Sequence, residues 1–162
     1  MVDLTTLTIA EASRLMMGKE LSPVELTQAA LQRISTLNPQ LNAFITVLED
    51  RALTAAKKAE QEMMSGQRRG PLHGIPIALK DLCATKGVRT TAGSKILHDH
   101  IPTDDATVTL RLAEAGTILL GKTHMNEFAY GPDGDNAHYG RVRNPWNLER
   151  ITGGSSSGSG AA

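Results

Sequence analysis

Residues 153–159 of this 162-residue chain are Gly153, Gly154, Ser155, Ser156, Ser157, Gly158 and Ser159. So much glycine allows either a tightly turned backbone or no fixed backbone at all. Gly/Ser tracts are the usual composition of flexible linkers and engineered tails. The lead-in argues for the turn, because Arg143-Asn144-Pro145-Trp146-Asn147-Leu148-Glu149-Arg150-Ile151-Thr152 mixes apolar and turn residues as a folded loop does. Upstream, the apolar stretch Ile75-Pro76-Ile77-Ala78-Leu79 ends at Lys80 and Asp81. Serine is a poor nucleophile at neutral pH and needs a neighbouring base, a role open to lysine only where burial keeps the amine neutral. A lysine closing an apolar strand is placed for that, and its pairing with a serine-rich turn points to amide hydrolysis. On its own a strand-end lysine more often extends its amine to solvent.

Around these two points the pattern is helices first and α/β second. Thr8 with Glu11 forms a capping box, with Gly18 closing the helix, and Ser22-Pro23-Val24-Glu25 opens a second helix with proline at its first position. That helix is predicted to run to about Leu37 and to be ended by Asn38-Pro39. A short strand over 43–48 and a helix over 51–65 closed by Gly66 follow. The basic loop Gln67-Arg68-Arg69-Gly70 leads into the strand that carries Lys80. Asp104 or Asp105 can cap a helix over 106–115 ended by Gly116, and Thr117-Ile118-Leu119-Leu120 is an apolar run of strand length. Strand, helix and strand at this spacing imply a largely parallel sheet with helices on its faces. Residues 131–152 are loop.

Three ordered blocks carry a family resemblance: Gly70-Pro71-Leu72-His73-Gly74-Ile75-Pro76-Ile77-Ala78-Leu79-Lys80-Asp81, Gly121-Lys122-Thr123-His124-Met125-Asn126-Glu127-Phe128-Ala129-Tyr130-Gly131, and Arg143-Asn144-Pro145-Trp146 with the Gly/Ser run. Together they resemble the amidase signature family, over essentially all of this chain but only about the first third of a usual member. The resemblance implies the N-terminal part of an amidase-signature fold, a mixed, largely parallel sheet flanked by helices and truncated after residue 162. It also implies one incomplete domain, with a helical part over 1–66 and the start of the α/β core over 67–162.

The family uses a serine, cis-serine and lysine unit. By the motif Lys80 matches the lysine and Ser155 the cis-serine, while the nucleophilic serine and oxyanion donors of the family lie beyond Ala162. The 162-residue chain alone is therefore expected to be inactive. Ala129, Tyr130 and Gly131 resemble the segment that lines the acyl pocket. Asp81 is expected to orient the site by hydrogen bonding, since a carboxylate next to the lysine tends to keep it charged unless burial outweighs it. The implied activity is hydrolysis of a carboxamide to acid and amine, with no cofactor and no metal. A second reading within the family is the glutaminase-type subunit of a tRNA-dependent amidotransferase, which works with partner subunits. Gly134-Asp135-Asn136-Ala137-His138-Tyr139-Gly140 and the three-serine form of the final motif look more like stand-alone amidases. A non-catalytic chain that keeps the motif as structure is a further alternative.

Gly116-Thr117-Ile118-Leu119-Leu120-Gly121-Lys122-Thr123 matches the phosphate-binding P-loop letter for letter. A P-loop must curl so that its amides cradle phosphate, whereas Ile118, Leu119 and Leu120 prefer an extended, buried strand. On that ground a P-loop nucleotide-binding protein stays only as a distant alternative. His98-Asp99-His100 lacks a third ligand at motif spacing and is expected in a solvated loop; His73, His124 and His138 are expected to be hydrogen-bonding residues. Cys83, the only cysteine, excludes an intramolecular disulfide and is expected to be a small buried apolar group. Seventeen basic and seventeen acidic residues cancel, which removes any electrostatic argument for nucleic acid or a membrane surface and leaves a small-molecule amide as the expected partner, with a homo-oligomer also open. The start Met1-Val2-Asp3-Leu4 has neither the basic nor the apolar segment of a signal peptide, so a cytoplasmic location is expected.

Overall fold

The computed structural model describes residues 3–162. Its helices are α1 (Ile9–Met17), α2 (Pro23–Leu41), α3 (Glu49–Met64), α4 (Thr107–Glu114) and α5 (Ser157–Ala161), and its strands are β1 (Phe44–Val47), β2 (Pro76–Lys80) and β3 (Ile118–Thr123). The strands form one sheet in the order β1-β3-β2. β1 runs antiparallel to β3, with Phe44 opposite Thr123 and Thr46 opposite Lys122. The bonds Ile118 N–H to Ile75 O and Asp81 N–H to Thr123 O advance in the same direction along both chains, so β2 runs parallel to β3. The α/β class expected from the sequence is observed, as a small mixed sheet.

Backbone contacts divide the chain into two compact units. The first comprises the described part of Met1–Ser35 with Leu48–Ile77 and Arg111–Leu120. Thr8 and Glu11 form the expected capping box of α1, and at the start of α2 the Ser22 N–H donates to Glu25 Oε2 at 2.9 Å while Oγ of Ser22 accepts the Val24 N–H at 2.9 Å. On α3, Ala52, Ala56 and Ala59 recur at helical spacing and are buried against Leu31, Ile118 and Leu120. Small side chains on that face let the helix approach closely. A second cluster joins Ala12, Met16, Leu21, Leu26 and Ile75. His73 is fully buried here. Its Nδ1 accepts the Arg69 N–H at 3.1 Å and its Nε2 lies 3.0 Å from Glu62 Oε2, which fixes the proton on Nε2.

The second unit comprises Thr36–Val47, Ala78–Leu110 and Gly121–Ala162. Two expectations fail in it. The end of α2 passes through Pro39 to Leu41 instead of stopping at Leu37. The helix persists because the Asn38 carbonyl accepts the Asn42 N–H at 2.8 Å, while the Asn38 amide exchanges two bonds with the backbone of Phe44. Asn38 thereby holds the helix end and the start of β1 together. The Gly/Ser run, expected to be a tight turn around Ser155 with no helix foreseen, closes in the short α5, where Gly158 N–H donates to His124 O at 2.9 Å. A Cβ on Gly158 would lie 2.2 Å from the Ala43 carbonyl oxygen and 2.3 Å from the His124 nitrogen, so only glycine fits.

Candidate active site

The strand β2 delivers Lys80 at its last residue, and the Gly/Ser run delivers Ser155. Lys80 Nζ lies 2.7 Å from Ser155 Oγ. The half-buried amine sits below the ordinary lysine range, chiefly because burial penalises the ammonium, with the nearby Cys83 thiol acting in the opposite sense. A neutral amine at this distance has a lone pair able to take the hydroxyl proton. The peptide bond between Gly154 and Ser155 is cis. A Cβ on Gly154 would lie 2.3 Å from Asn126 Oδ1 and 3.0 Å from the Gly131 carbonyl oxygen, so the backbone before Ser155 packs where a side chain cannot.

Sequence reasoning missed Asn126. It is buried, its backbone N–H donates to the Ser155 carbonyl at 3.2 Å, and its carbonyl accepts the Ala129 N–H at 3.0 Å. Its Nδ2 donates to Asp133 Oδ1 at 2.8 Å and to Asp135 O at 2.9 Å, and its Oδ1 accepts the Gly134 N–H at 3.2 Å. One residue thus fixes both the Ser155 backbone and the loop of residues 129–135. The only hint in the sequence is indirect: the crowded turn residues 131–136 have more backbone groups than they can satisfy locally. Within 129–131 the structure separates the three expected residues. Gly131 lies against Gly154, Ala129 has a left-handed backbone (φ 60°), and the Tyr130 side chain is 93% exposed.

Alternation along β2 sends the next side chain to the opposite face of the sheet. There Asp81 is fully buried. Its Oδ2 accepts the Thr91 N–H at 2.9 Å and the Thr91 hydroxyl, while its Oδ1 has no hydrogen-bond partner and faces Lys122 Nζ at 3.9 Å. Lys122, also fully buried, donates to Cys83 O at 2.6 Å, Thr90 Oγ1 at 2.8 Å and Thr85 Oγ1 at 3.2 Å. Burial pushes the Asp81 carboxyl up and the Lys122 amine down, and each charge opposes the other's shift. The P-loop pattern is therefore refuted by geometry, since Gly121, Lys122 and Thr123 are strand residues paired with β1.

The remaining polar candidates have local partners. His98 Nδ1 meets the Tyr139 hydroxyl at 2.8 Å, and the two rings stack. His138 pairs with Glu127 at 3.1 Å, and His124 Nε2 lies 3.3 Å from the Tyr139 carbonyl. Cys83 is half-buried rather than buried, and it is its backbone that is engaged, with N–H to Lys80 O and carbonyl to Lys122. The Asp105 carboxylate accepts the Lys86 N–H at 2.7 Å. Among the described residues no group of three His, Cys, Asp or Glu side chains is arranged to hold a metal ion, and no helix is long and apolar enough to cross a membrane.

An α/β chain that sets a desolvated lysine against the hydroxyl of a serine preceded by two glycines has the makings of a proton relay. The family model described as Amidase matches residues 25–162, and the chain belongs to that family. The chain is 53% identical over 156 residues to the A subunit of the glutamyl-tRNA(Gln) amidotransferase of Pseudomonas entomophila (strain L48), covering 96% of this chain and 32% of that protein. Among solved structures, the native peptide amidase from Stenotrophomonas maltophilia matches with TM-score 0.91 and 40% identity, over 97% of this chain and 34% of that one. A chain from a vestigial protein complex bearing on the origins of an s-triazine catabolic enzyme matches with TM-score 0.92 and 38% identity, over 96% of this chain and 34% of that one. The chain thus spans about a third of the length of the relatives it matches.

Proposed function

We propose that this chain is part of an enzyme that hydrolyses a carboxamide C–N bond to carboxylate and amine or ammonia, with Lys80 and Ser155 as its proton relay. The 2.7 Å contact between Lys80 Nζ and Ser155 Oγ carries the reading. Neutral Lys80 accepts the Ser155 proton, Ser155 accepts the proton of an attacking hydroxyl, and the relay reverses to protonate the departing amine. On the family resemblance that attacking serine belongs to sequence beyond Ala162, and Ala129, Tyr130 and Gly131 border the acyl group. The substrate is a small amide handled in the cytoplasm without a cofactor, by one amidase-signature domain of which residues 1–162 form part.

A second reading is favoured by the 53% identity to the amidotransferase protein, against 38–40% to the two solved chains above. In it the amide is glutamine, and the ammonia passes to a partner subunit. Ammonia release from simple carboxamides and from glutamine, measured for the protein expressed from its whole gene, separates the two. Lys80→Ala and Ser155→Ala are each expected to lower turnover by about 10²–10⁴-fold with the fold intact. Parent-like turnover in Lys80→Ala would sink the relay.

A further inference from the structure

Asp81 presents a problem that the proton relay does not solve. A carboxylate one residue from Lys80 favours the ammonium, and an ammonium has no lone pair with which to accept a proton. Lys80 nevertheless sits below its ordinary range, chiefly through its own burial, and Asp81 is not among the groups that raise it.

The hydrogen bonds around Lys122 state its charge. Thr85 Oγ1 donates its proton to Cys83 O at 3.1 Å, and Thr90 Oγ1 donates its proton to Val88 O at 3.1 Å. Both hydroxyls therefore accept from Lys122, as does the Cys83 carbonyl, which has no proton to give. Three acceptors require three N–H donors, and only the ammonium has three. A buried ammonium needs a counter-charge. The Asp81 Oδ1 that lacks a hydrogen bond faces it at 3.9 Å.

We infer that Lys122 is the fixed counter-charge of Asp81, held on the far face of the sheet so that the carboxylate beside Lys80 exerts no net pull on the Lys80 proton. The other titratable or charged side chains facing the pair are Arg89, Cys83 and His124. Arg89 is half-buried and spends its guanidinium on Thr46 Oγ1 at 3.0 Å and Ile45 O at 3.5 Å. Cys83 is turned to Lys122 through its carbonyl, and His124 spends Nε2 on the Tyr139 carbonyl. Lys122 is accordingly a positioning residue acting through charge, and the P-loop lysine of the sequence acquires a use without nucleotide. The inference rests on Lys80 being the base.

The test is the acidic limb of the kcat/KM–pH profile on a simple carboxamide, in the protein expressed from the whole gene. Lys122→Met leaves Asp81 uncompensated and is expected to move the limb up by about one pH unit. Asp81→Asn leaves Lys122 uncompensated and is expected to move it down by about as much, and the double variant is expected to return it to the parent position. A lysine that merely held the loop would lower the rate without moving the limb. Should Lys122→Met fail to fold, Asp81→Asn alone decides: a limb that stays put, or that moves upward, overturns the inference. Lys80→Ala is run beside it. Parent-like activity there means that the base assignment has failed, whereas an inactive Lys80→Ala with an unmoved Asp81→Asn limb removes the Lys122 inference alone.

Discussion

The meeting of Lys80 with Ser155 was legible from the family motifs that carry them, an apolar strand closing in an amine and a glycine run framing a hydroxyl. Asn126 was not, since its partners Asp133, Gly134, Asp135 and Ser155 meet it only through the fold of the loop. Its amide makes the residue testable by an isosteric change. Asn126→Asp turns the Nδ2 donor into an acceptor, leaves the Asp135 carbonyl without its bond, and sets a carboxylate against Asp133. The Asp133 carboxyl lies below its ordinary range, first because of the hydrogen bond from Asn126, so that charge is present at neutral pH. Losing two buried donors is expected to lower stability by about 1–3 kcal/mol, with the like charges acting in the same direction, seen as a lower urea midpoint with an unchanged slope. Replacing Asp133 by asparagine in the same chain restores a donor opposite the new carboxylate and should recover part of the loss. An unchanged midpoint in Asn126→Asp would show that the hydrogen bonds do not hold the loop.

Among the elements, those governed by local rules were foreseen: the capping box of α1, the proline-started α2, and β2 closing at Lys80. The misses come from tertiary partners. Pro39 fails to end α2 because Asn38 is held by Phe44, and the Gly/Ser run forms a short helix because Gly158 docks on the His124 backbone. The strand β3 shows a motif losing to its context. Gly116 through Thr123 has the letters of a P-loop, but β-branched and apolar residues extend it, and it pairs with β1 from Gly121 to Thr123. A Cβ on Gly121 would sit 2.3 Å from the Thr46 carbonyl oxygen, so this glycine serves strand packing and not phosphate approach. ATP and GTP at millimolar concentration, with or without magnesium, are expected to leave the melting temperature unchanged. Stabilisation that Lys122→Ala abolishes would restore the nucleotide reading.

Among the described residues the buried hydrophobic side chains are alanine, leucine and other aliphatic ones, with Phe44 the only aromatic. Of the other aromatic residues Tyr139 is half-buried, whereas Trp146 is 95% exposed, and Phe128 and Tyr130 are also exposed. Ile96, Ile101 and Ile151 add exposed aliphatic surface. Large side chains left in water become an association surface where they lie side by side. Within the sheet, β1 and β2 each pair on one side only, so unpaired backbone groups of β2 run up to Lys80. Both features favour association. The 162-residue chain purified alone is therefore expected to bind an apolar dye and to grow in mean size with concentration in light scattering. The protein expressed from the whole gene is expected to bind less dye per residue, because additional family sequence has the length to cover those side chains. Trp146→Ser and Ile151→Ser in the short chain should reduce both signals if these residues carry the contact. A monodisperse monomer with a cooperative thermal transition and no dye binding would show that the exposed apolar residues are tolerated singly and that residues 1–162 are self-sufficient as a folded unit.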